Sequence, residues 1–155
     1  MSQAVEGPWN AAILAALRRH RALRAVGDLD YKRVLKAALG EKIPQKVLAQ
    51  TLGVSQPAVA KALKGAVDVV DVLDGHSSAT PYEVCQRYAA GLLEREAMIM
   101  ELAAWPYPPT PMADEYGDYQ DTDSGTFDDV VVAKRLGLID GEAYAEIVAR
   151  ITASS

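Results

Sequence analysis

The residues whose types and spacing could do chemistry lie between Gln45 and Lys64. If this stretch is helical, its polar and small residues fall together on the side away from the apolar positions. They are Ser55, Gln56, Pro57, Ala60, Lys61 and Lys64. Hydroxyl, amide and ammonium groups can bind phosphates and the edges of bases, and a glutamine can bond N6 and N7 of adenine together. The pattern therefore indicates noncovalent recognition of an anionic partner.

The distribution of charge along the chain points the same way. Residues 1–65 carry 11 Lys and Arg against 4 Asp and Glu, whereas residues 66–155 carry 5 against 17. The formal net charge of −5 therefore hides a basic end and an acidic end. Such asymmetry predicts that the basic end contacts a polyanion and that the acidic end has another task.

Catalytic and metal-binding patterns are missing from the sequence, so we expect no enzyme activity, cofactor or metal. His20 and His76 are far apart and lie in no metal-ligand spacing. The single cysteine, Cys85, excludes an internal disulfide and fits a reducing cytoplasm. The acidic residues from Asp121 onward miss the glycine and glutamate spacing of a calcium loop. The apolar run Ala11–Leu17 is too short to span a bilayer, so no membrane partner is expected.

The elements that carry the basic end are predicted to be helices. We expect a first helix from about Pro8 to Val26, stopped by Gly27, and a second from Asp28 or Asp30 to Gly40. The apolar face of the first helix is Trp9, Ile13, Ala16, Leu17 and Leu23, and the buried stripe of the second is Tyr31, Val34, Leu35, Ala38 and Leu39. The first helix also carries Arg18, Arg19, Arg21 and Arg24. These arginines fit either a solvated face or a surface that contacts phosphate.

Two shorter helices follow, over 44–52 and 55–63, and Gly53 separates them. Gly53 tolerates the positive φ that a tight turn needs, and Ala49 permits a close crossing of the two helices. The predicted apolar anchors are Leu48, Leu52, Val54, Val59, Ala62 and Leu63. Ser55 is predicted to cap the second of these helices.

The run from Gln45 to Leu63, QKVLAQTLGVSQPAVAKAL, resembles the helix-turn-helix of the Cro/repressor (Xre-like) family. The resemblance covers about 20 residues, and it extends over the first 65 if the preceding helices are included. It implies a small helical DNA-binding domain that works as a dimer on a palindromic operator.

The resemblance also implies roles for individual residues. Gln45 would contact phosphate, Ser55, Gln56, Pro57 and Ala60 would face bases, and Lys61 and Lys64 would bind phosphate or a guanine edge. Arg18, Arg19 and Arg21 are added as DNA contacts from the first helix. Because the residues that would face bases include no Arg or Asn, part of the specificity is expected from DNA shape, methyl contacts or these arginines.

The segment between 66 and 105 is predicted to be a helical extension. Residues 66–79 mix valines with aspartates, which leaves open a short strand, a wing-like turn or a frayed helix. Thr80 to Glu83 has the pattern of a capping box, which predicts a helix to Ala90. After a break at Gly91, a further helix is expected from about Glu94 to Trp105.

The C-terminal part combines a linker with a helical pair. Residues 106–125 are rich in proline and then in acidic residues, as in an extended linker. Helices are expected over 126–136 and 140–151. Val131–Ile147 repeats the pattern of Val47–Leu63 without a gap, but its carboxylates would face phosphates, so a hairpin that docks a partner or the other protomer is favoured over a second reading head.

Aromatic residues in and around the linker are predicted to bind a protein partner, because an acidic, aromatic segment can wrap a basic surface. They are Trp105, Tyr107, Tyr116, Tyr119 and Phe127. A fold-back of this acidic segment over the basic domain is a further alternative.

Taken together, the sequence predicts an all-α fold, with a small helical bundle containing a helix-turn-helix, then helical hairpins and an acidic linker. The predicted parts are 1–65 for DNA binding, 66–105 as an extension, 106–125 as linker and 126–155 for interaction. The predicted function is a homodimeric, sequence-specific repressor or antitoxin that binds its own operator and, through its acidic half, a toxin or other protein. The antitoxin part rests on similarity of architecture alone. The alternative is a protein–protein adaptor or dimeric scaffold whose head does not read DNA.

Overall fold

The structure is a computed structural model that describes residues 7–108 and 125–154. Within these ranges the chain forms seven helices and no strand, which confirms the predicted all-α class. The helices are α1 Ala11–Gly40, α2 Gln45–Leu52, α3 Gln56–Ala66, α4 Pro81–Ala89, α5 Arg95–Ala103, α6 Asp128–Arg135 and α7 Gly141–Ser154. No helix in the described ranges combines the length and apolar composition needed to cross a bilayer.

The first helix is one element, so the predicted stop at Gly27 is wrong. Helix α1 runs for 30 residues through Gly27 and Asp28. A glycine inside a helix costs only about 1 kcal/mol relative to alanine, and a neighbouring ion pair of Asp28 with Lys32, at 3.1 Å, supports the next turn. The start is set by Asn10, whose Oδ1 accepts the N–H groups of Ala12 and Ile13 at 3.0 and 3.3 Å.

The later helices begin and end close to their predicted limits, because their end signals are local. The predicted Thr80 cap of α4 is confirmed: Thr80 Oγ1 accepts the N–H of Glu83 at 3.1 Å. The Glu83 carboxylate reaches one residue further back than expected and accepts the N–H of Ala79 at 3.2 Å. Residues 67–79, for which three alternatives were open, form turns and irregular backbone with neither strand nor helix.

The described residues divide into two compact units. The central unit is Ala25–Asp71, and the composite unit joins the residues up to Arg24 with those from Val72 onward. Helix α1 contributes residues to both units.

The central unit has a small apolar core made by the end of α1, α2 and α3. Its buried members are Leu35, Ala38, Leu48, Ala49, Val59, Leu63 and Ala66. Of the stripe predicted for residues 31–39, Leu35 and Ala38 are buried, whereas Tyr31, Val34 and Leu39 are exposed.

The composite unit has the larger core. Helix α5 packs against α7, and α4 packs against α5 and α6. The buried members are Val84, Cys85, Met98, Ile99, Leu102, Trp105, Val130, Ala133, Ile139, Ala143 and Ile147. The apolar face predicted at the start of the chain lies outside this core, since Trp9, Ile13 and Leu17 are 66, 58 and 62% exposed.

Candidate nucleic-acid interface

The turn between α2 and α3 depends on the backbone freedom of Gly53. Gly53 has φ 69° and ψ 33°, in the left-handed region. Its N–H and that of Val54 both point to the carbonyl oxygen of Ala49, the latter at 3.1 Å. This hydrogen bonding closes α2 and turns the chain within three residues into α3. The glycine signal in the sequence therefore predicts this turn correctly.

The start of α3 is held by Ser55. This residue has extended backbone, and its Oγ accepts the N–H of Ala58 at 3.2 Å. Pro57 lies in the first turn, where its missing N–H costs no helical hydrogen bond. The first turn of α3 is consequently well defined although its side chains point away from the core.

Helix α3 separates an apolar side from an exposed side. Val59, Leu63 and Ala66 are buried against α1 and α2. All residues predicted to touch DNA from α3 and its cap are exposed: Ser55, Gln56, Pro57, Ala60, Lys61 and Lys64. Gln45, the first residue of α2, is exposed as well. The structure thus leaves the predicted contact residues of the central unit accessible.

The charged side chains of α2, α3 and the residues next to them are all positive. Residues 42–67 contain Lys42, Lys46, Lys61 and Lys64 and no carboxylate. All four lysines are exposed, and none forms an ion pair within the part of the chain that the structure describes. Lys42 and Lys46 were not among the predicted contacts, although the run without Asp or Glu is a signal that could have found them.

The cations of α1 in the same unit form ion pairs within it. Lys32 pairs with Asp28, Arg33 with Asp30 at 3.3 Å, and Lys36 with Asp71 at 3.2 Å. Arg33 Nε and Lys36 Nζ also donate to the carbonyl oxygens of Val70 and Val69, at 3.0 and 3.1 Å. Arg33 and Lys36 therefore tie the segment after α3 to α1, while Lys32 pairs within α1 itself.

The arginines predicted to contact DNA from α1 belong to the composite unit. The guanidinium of Arg19 lies about 3.5 Å from the position that a Cβ on Gly91 would occupy. Arg18 lines a cleft at the turn between α6 and α7, together with Lys134 and Arg135. Arg21 is exposed. The contribution of Lys134 and Arg135 was not predicted, because more than 100 residues separate them from Arg18 in the sequence.

Three of the aromatic residues predicted to bind a partner pack inside the composite unit. Trp105 is buried and meets the ring of His76 edge-on at 4.8 Å. The half-buried Tyr107 packs on Phe127 at 5.5 Å and donates its hydroxyl hydrogen to the carbonyl oxygen of Leu102 at 2.6 Å. Tyr116 and Tyr119 lie outside the described residues. The partner-binding role of all five stays a prediction.

The nucleophile and metal candidates are few. Burial raises the pKa of the Cys85 thiol to about 12, and the nearby carboxylate of Asp129 adds to the effect. A thiol with such a pKa is neutral at physiological pH and is a poor nucleophile. Among the described residues, no three His, Cys, Asp or Glu side chains are arranged to hold a metal ion.

No family model, curated protein or solved structure matches this chain. Its function is therefore inferred from the α2–α3 surface and its charges.

Proposed function

We propose that the chain is a sequence-specific DNA-binding regulator, in which α2, its glycine turn and α3 act as a helix-turn-helix. The observation that carries the proposal is the division of α3. Val59 and Leu63 hold it on the core, while Ser55, Gln56 and Lys61 are exposed at its amino-terminal half. A helix anchored in this way can enter the major groove with its first turns.

The dimensions and chemistry of α3 suit a base-reading role. The helix has 11 residues and a length of about 16 Å at 1.5 Å per residue, and a major groove about 12 Å wide admits it. The Gln56 amide can bond adenine, and the apolar Pro57 and Ala60 can contact a thymine methyl group. Lys61 and Lys64 supply charge for phosphates or a guanine edge.

The start of α2 provides a second contact for the DNA backbone. Pro44 precedes α2, and no side chain caps the first N–H groups of the helix. Uncapped N–H groups and the positive end of the helix dipole attract a phosphate. With Gln45 and Lys46 beside them, they would fix the position of α3 on the duplex.

Repression and partner binding complete the proposal. As a homodimer, two copies of α3 about 34 Å apart would meet successive major-groove faces of a palindromic operator. The acidic half would bind a partner protein, in the manner of an antitoxin. Capture by this chain of the product of a neighbouring gene that is toxic when expressed alone would support the antitoxin role, and a neighbour without toxicity or binding would oppose it.

Selection of duplexes from a random library, followed by fluorescence anisotropy on the selected site, tests the reading role of Gln56. Gln56→Ala should weaken binding by about 1–3 kcal/mol and relax the preference at one base position. Gln50→Ala is the matched control, because Gln50 is exposed on α2 outside the proposed contacts. If both variants bind and discriminate alike, Gln56 does not read a base. If the wild-type chain selects no duplex even at low salt, the adaptor alternative is favoured.

A further inference from the structure

The turn between α6 and α7 lines a cleft in the composite unit with a volume of about 540 Å³. Three cationic side chains lie on its walls: Arg18 from α1, and Lys134 and Arg135 from the last turn of α6. This concentration of positive charge stands out because residues 66–155 are strongly acidic as a whole. It indicates an anionic ligand.

One carboxylate, that of Asp140, also lies on the wall of the cleft. Its Oδ1 accepts the N–H of Ala143 at 2.7 Å, in the first turn of α7. The same oxygen lies 4.0 Å from Arg95 Nη2, which is not on the wall. Asp140 therefore caps α7, and three cationic residues line the cleft together with this one carboxylate.

The backbone of the turn keeps the cleft open to a ligand. Gly137 has φ 80°, so a side chain there would be strained, and the position of its missing Cβ lies 3.7 Å from the Arg18 side chain. Gly141 opens α7 and likewise adds no side chain to the wall. Tyr88 contributes an aromatic side chain. A volume of this size falls in the range of about 300–1,000 Å³ found for small-molecule sites.

We propose that this cleft binds a phosphate-bearing ligand, with Arg18, Lys134 and Arg135 around the phosphate. A guanidinium matches two phosphate oxygens at once, and an ammonium adds a compact charge, so three such groups suit a dianion better than a single carboxylate. The phosphate can belong to a small organic phosphate ester or to the backbone of a duplex. In the first case the inference goes beyond DNA binding, and in the second it rests on the proposed function.

The first arm of the test is calorimetry of the full chain with inorganic pyrophosphate and with a nucleoside monophosphate. The variant Lys134→Gln/Arg135→Gln should weaken binding at least tenfold. Lys32→Gln is the matched control, because Lys32 lies on α1, pairs with Asp28 and is not on the wall of the cleft. Since Lys134 Nζ lies 4.5 Å above the Tyr144 ring, Arg135→Gln alone serves as a second variant that keeps this contact.

The second arm measures duplex binding by the same variants. If the duplex backbone is the source of the phosphate, small phosphates will not bind, but the double variant will lose affinity equally for all duplexes, as expected for phosphate contacts. Loss of small-phosphate binding supports the inference, and so does a uniform loss of duplex affinity where small phosphates do not bind. Small-phosphate binding that the double variant retains, or no effect in both arms, overturns it. If the chain binds no duplex at all, the calorimetry with small phosphates alone decides the inference. Failure of the proposed DNA-binding function is therefore distinguishable from failure of this inference.

Discussion

Burial decides which individual residues can act on a ligand. Within the described part of the chain, the exposed side chains of Gln56 and Lys61 form no hydrogen bond or ion pair, whereas Cys85 is enclosed in the core of the composite unit and the half-buried Tyr107 packs against it. The side of α3 on which Gln56 falls follows from helical spacing, so the sequence is sufficient to predict it. The ion pairs of Lys32 and Lys36 are harder to foresee, because Lys36 meets Asp71 only through the course of the chain after α3.

A prediction at the scale of the residue concerns the Cys85 thiol. Iodoacetamide at pH 8 should alkylate native protein at least a hundredfold more slowly than protein in denaturant, because the thiol is buried and its pKa is raised to about 12. Mass spectrometry of samples taken over time measures both rates. Equal rates would show that Cys85 is accessible as thiolate in the folded chain.

Alkaline stability follows from the same burial. The unfolded chain releases the Cys85 proton from its ordinary pKa of 9.0 upward, whereas the folded chain keeps the proton until about 12. The contribution of the Cys85 thiol to the free energy of unfolding is complete below pH 9. It is lost as the pH rises from 9 towards 12, with a slope of up to about 1.4 kcal/mol per pH unit. Burial also raises the pKa of Tyr107, which acts in the same direction. Urea unfolding from pH 8 to 11 should show this decline, and Cys85→Ala should make it shallower; an unchanged slope in that variant would assign the decline to other groups.

At the scale of the helix, end signals in the sequence predict most of the structure, because caps and left-handed glycines act within one turn. The Ser55 and Thr80 caps and the turn at Gly53 are examples. The continuation of α1 through Gly27 has no such signal, because a glycine followed by aspartate also fits a helix end. The cleft formed by Arg18 and Arg135 was likewise beyond prediction, since it depends on which helices pack together.

A matched pair of substitutions tests this description of the helices. Gly27 is helical and a Cβ there meets nothing within 4 Å, so Gly27→Ala should stabilise the chain by about 1 kcal/mol. Gly53 has equal space but a positive φ, so Gly53→Ala should destabilise it by about 1–2 kcal/mol. Urea unfolding measures both. A loss of stability in Gly27→Ala would indicate that the helix ends there as the sequence alone predicts.

At the scale of the whole molecule, the charge asymmetry separates the two halves of the sequence fully but the two structural units only in part. The central unit carries the lysine surface of α2 and α3, while a cationic cleft lies in the otherwise acidic composite unit. A count of charges in the two sequence halves therefore predicts the lysine surface of α2 and α3, but it does not predict the cationic cleft.

The measurement that tests the central claim most directly is the salt dependence of duplex affinity. The logarithm of the association constant should fall linearly with the logarithm of salt concentration, by about 0.9 for each phosphate that a lysine or arginine binds. Lys61→Ala should reduce this slope by about 1, and Lys61→Arg, which keeps the charge, should leave it unchanged. A duplex affinity that does not depend on salt, or a slope that Lys61→Ala leaves unaltered, would contradict the assignment of α3 as the helix that lies against DNA.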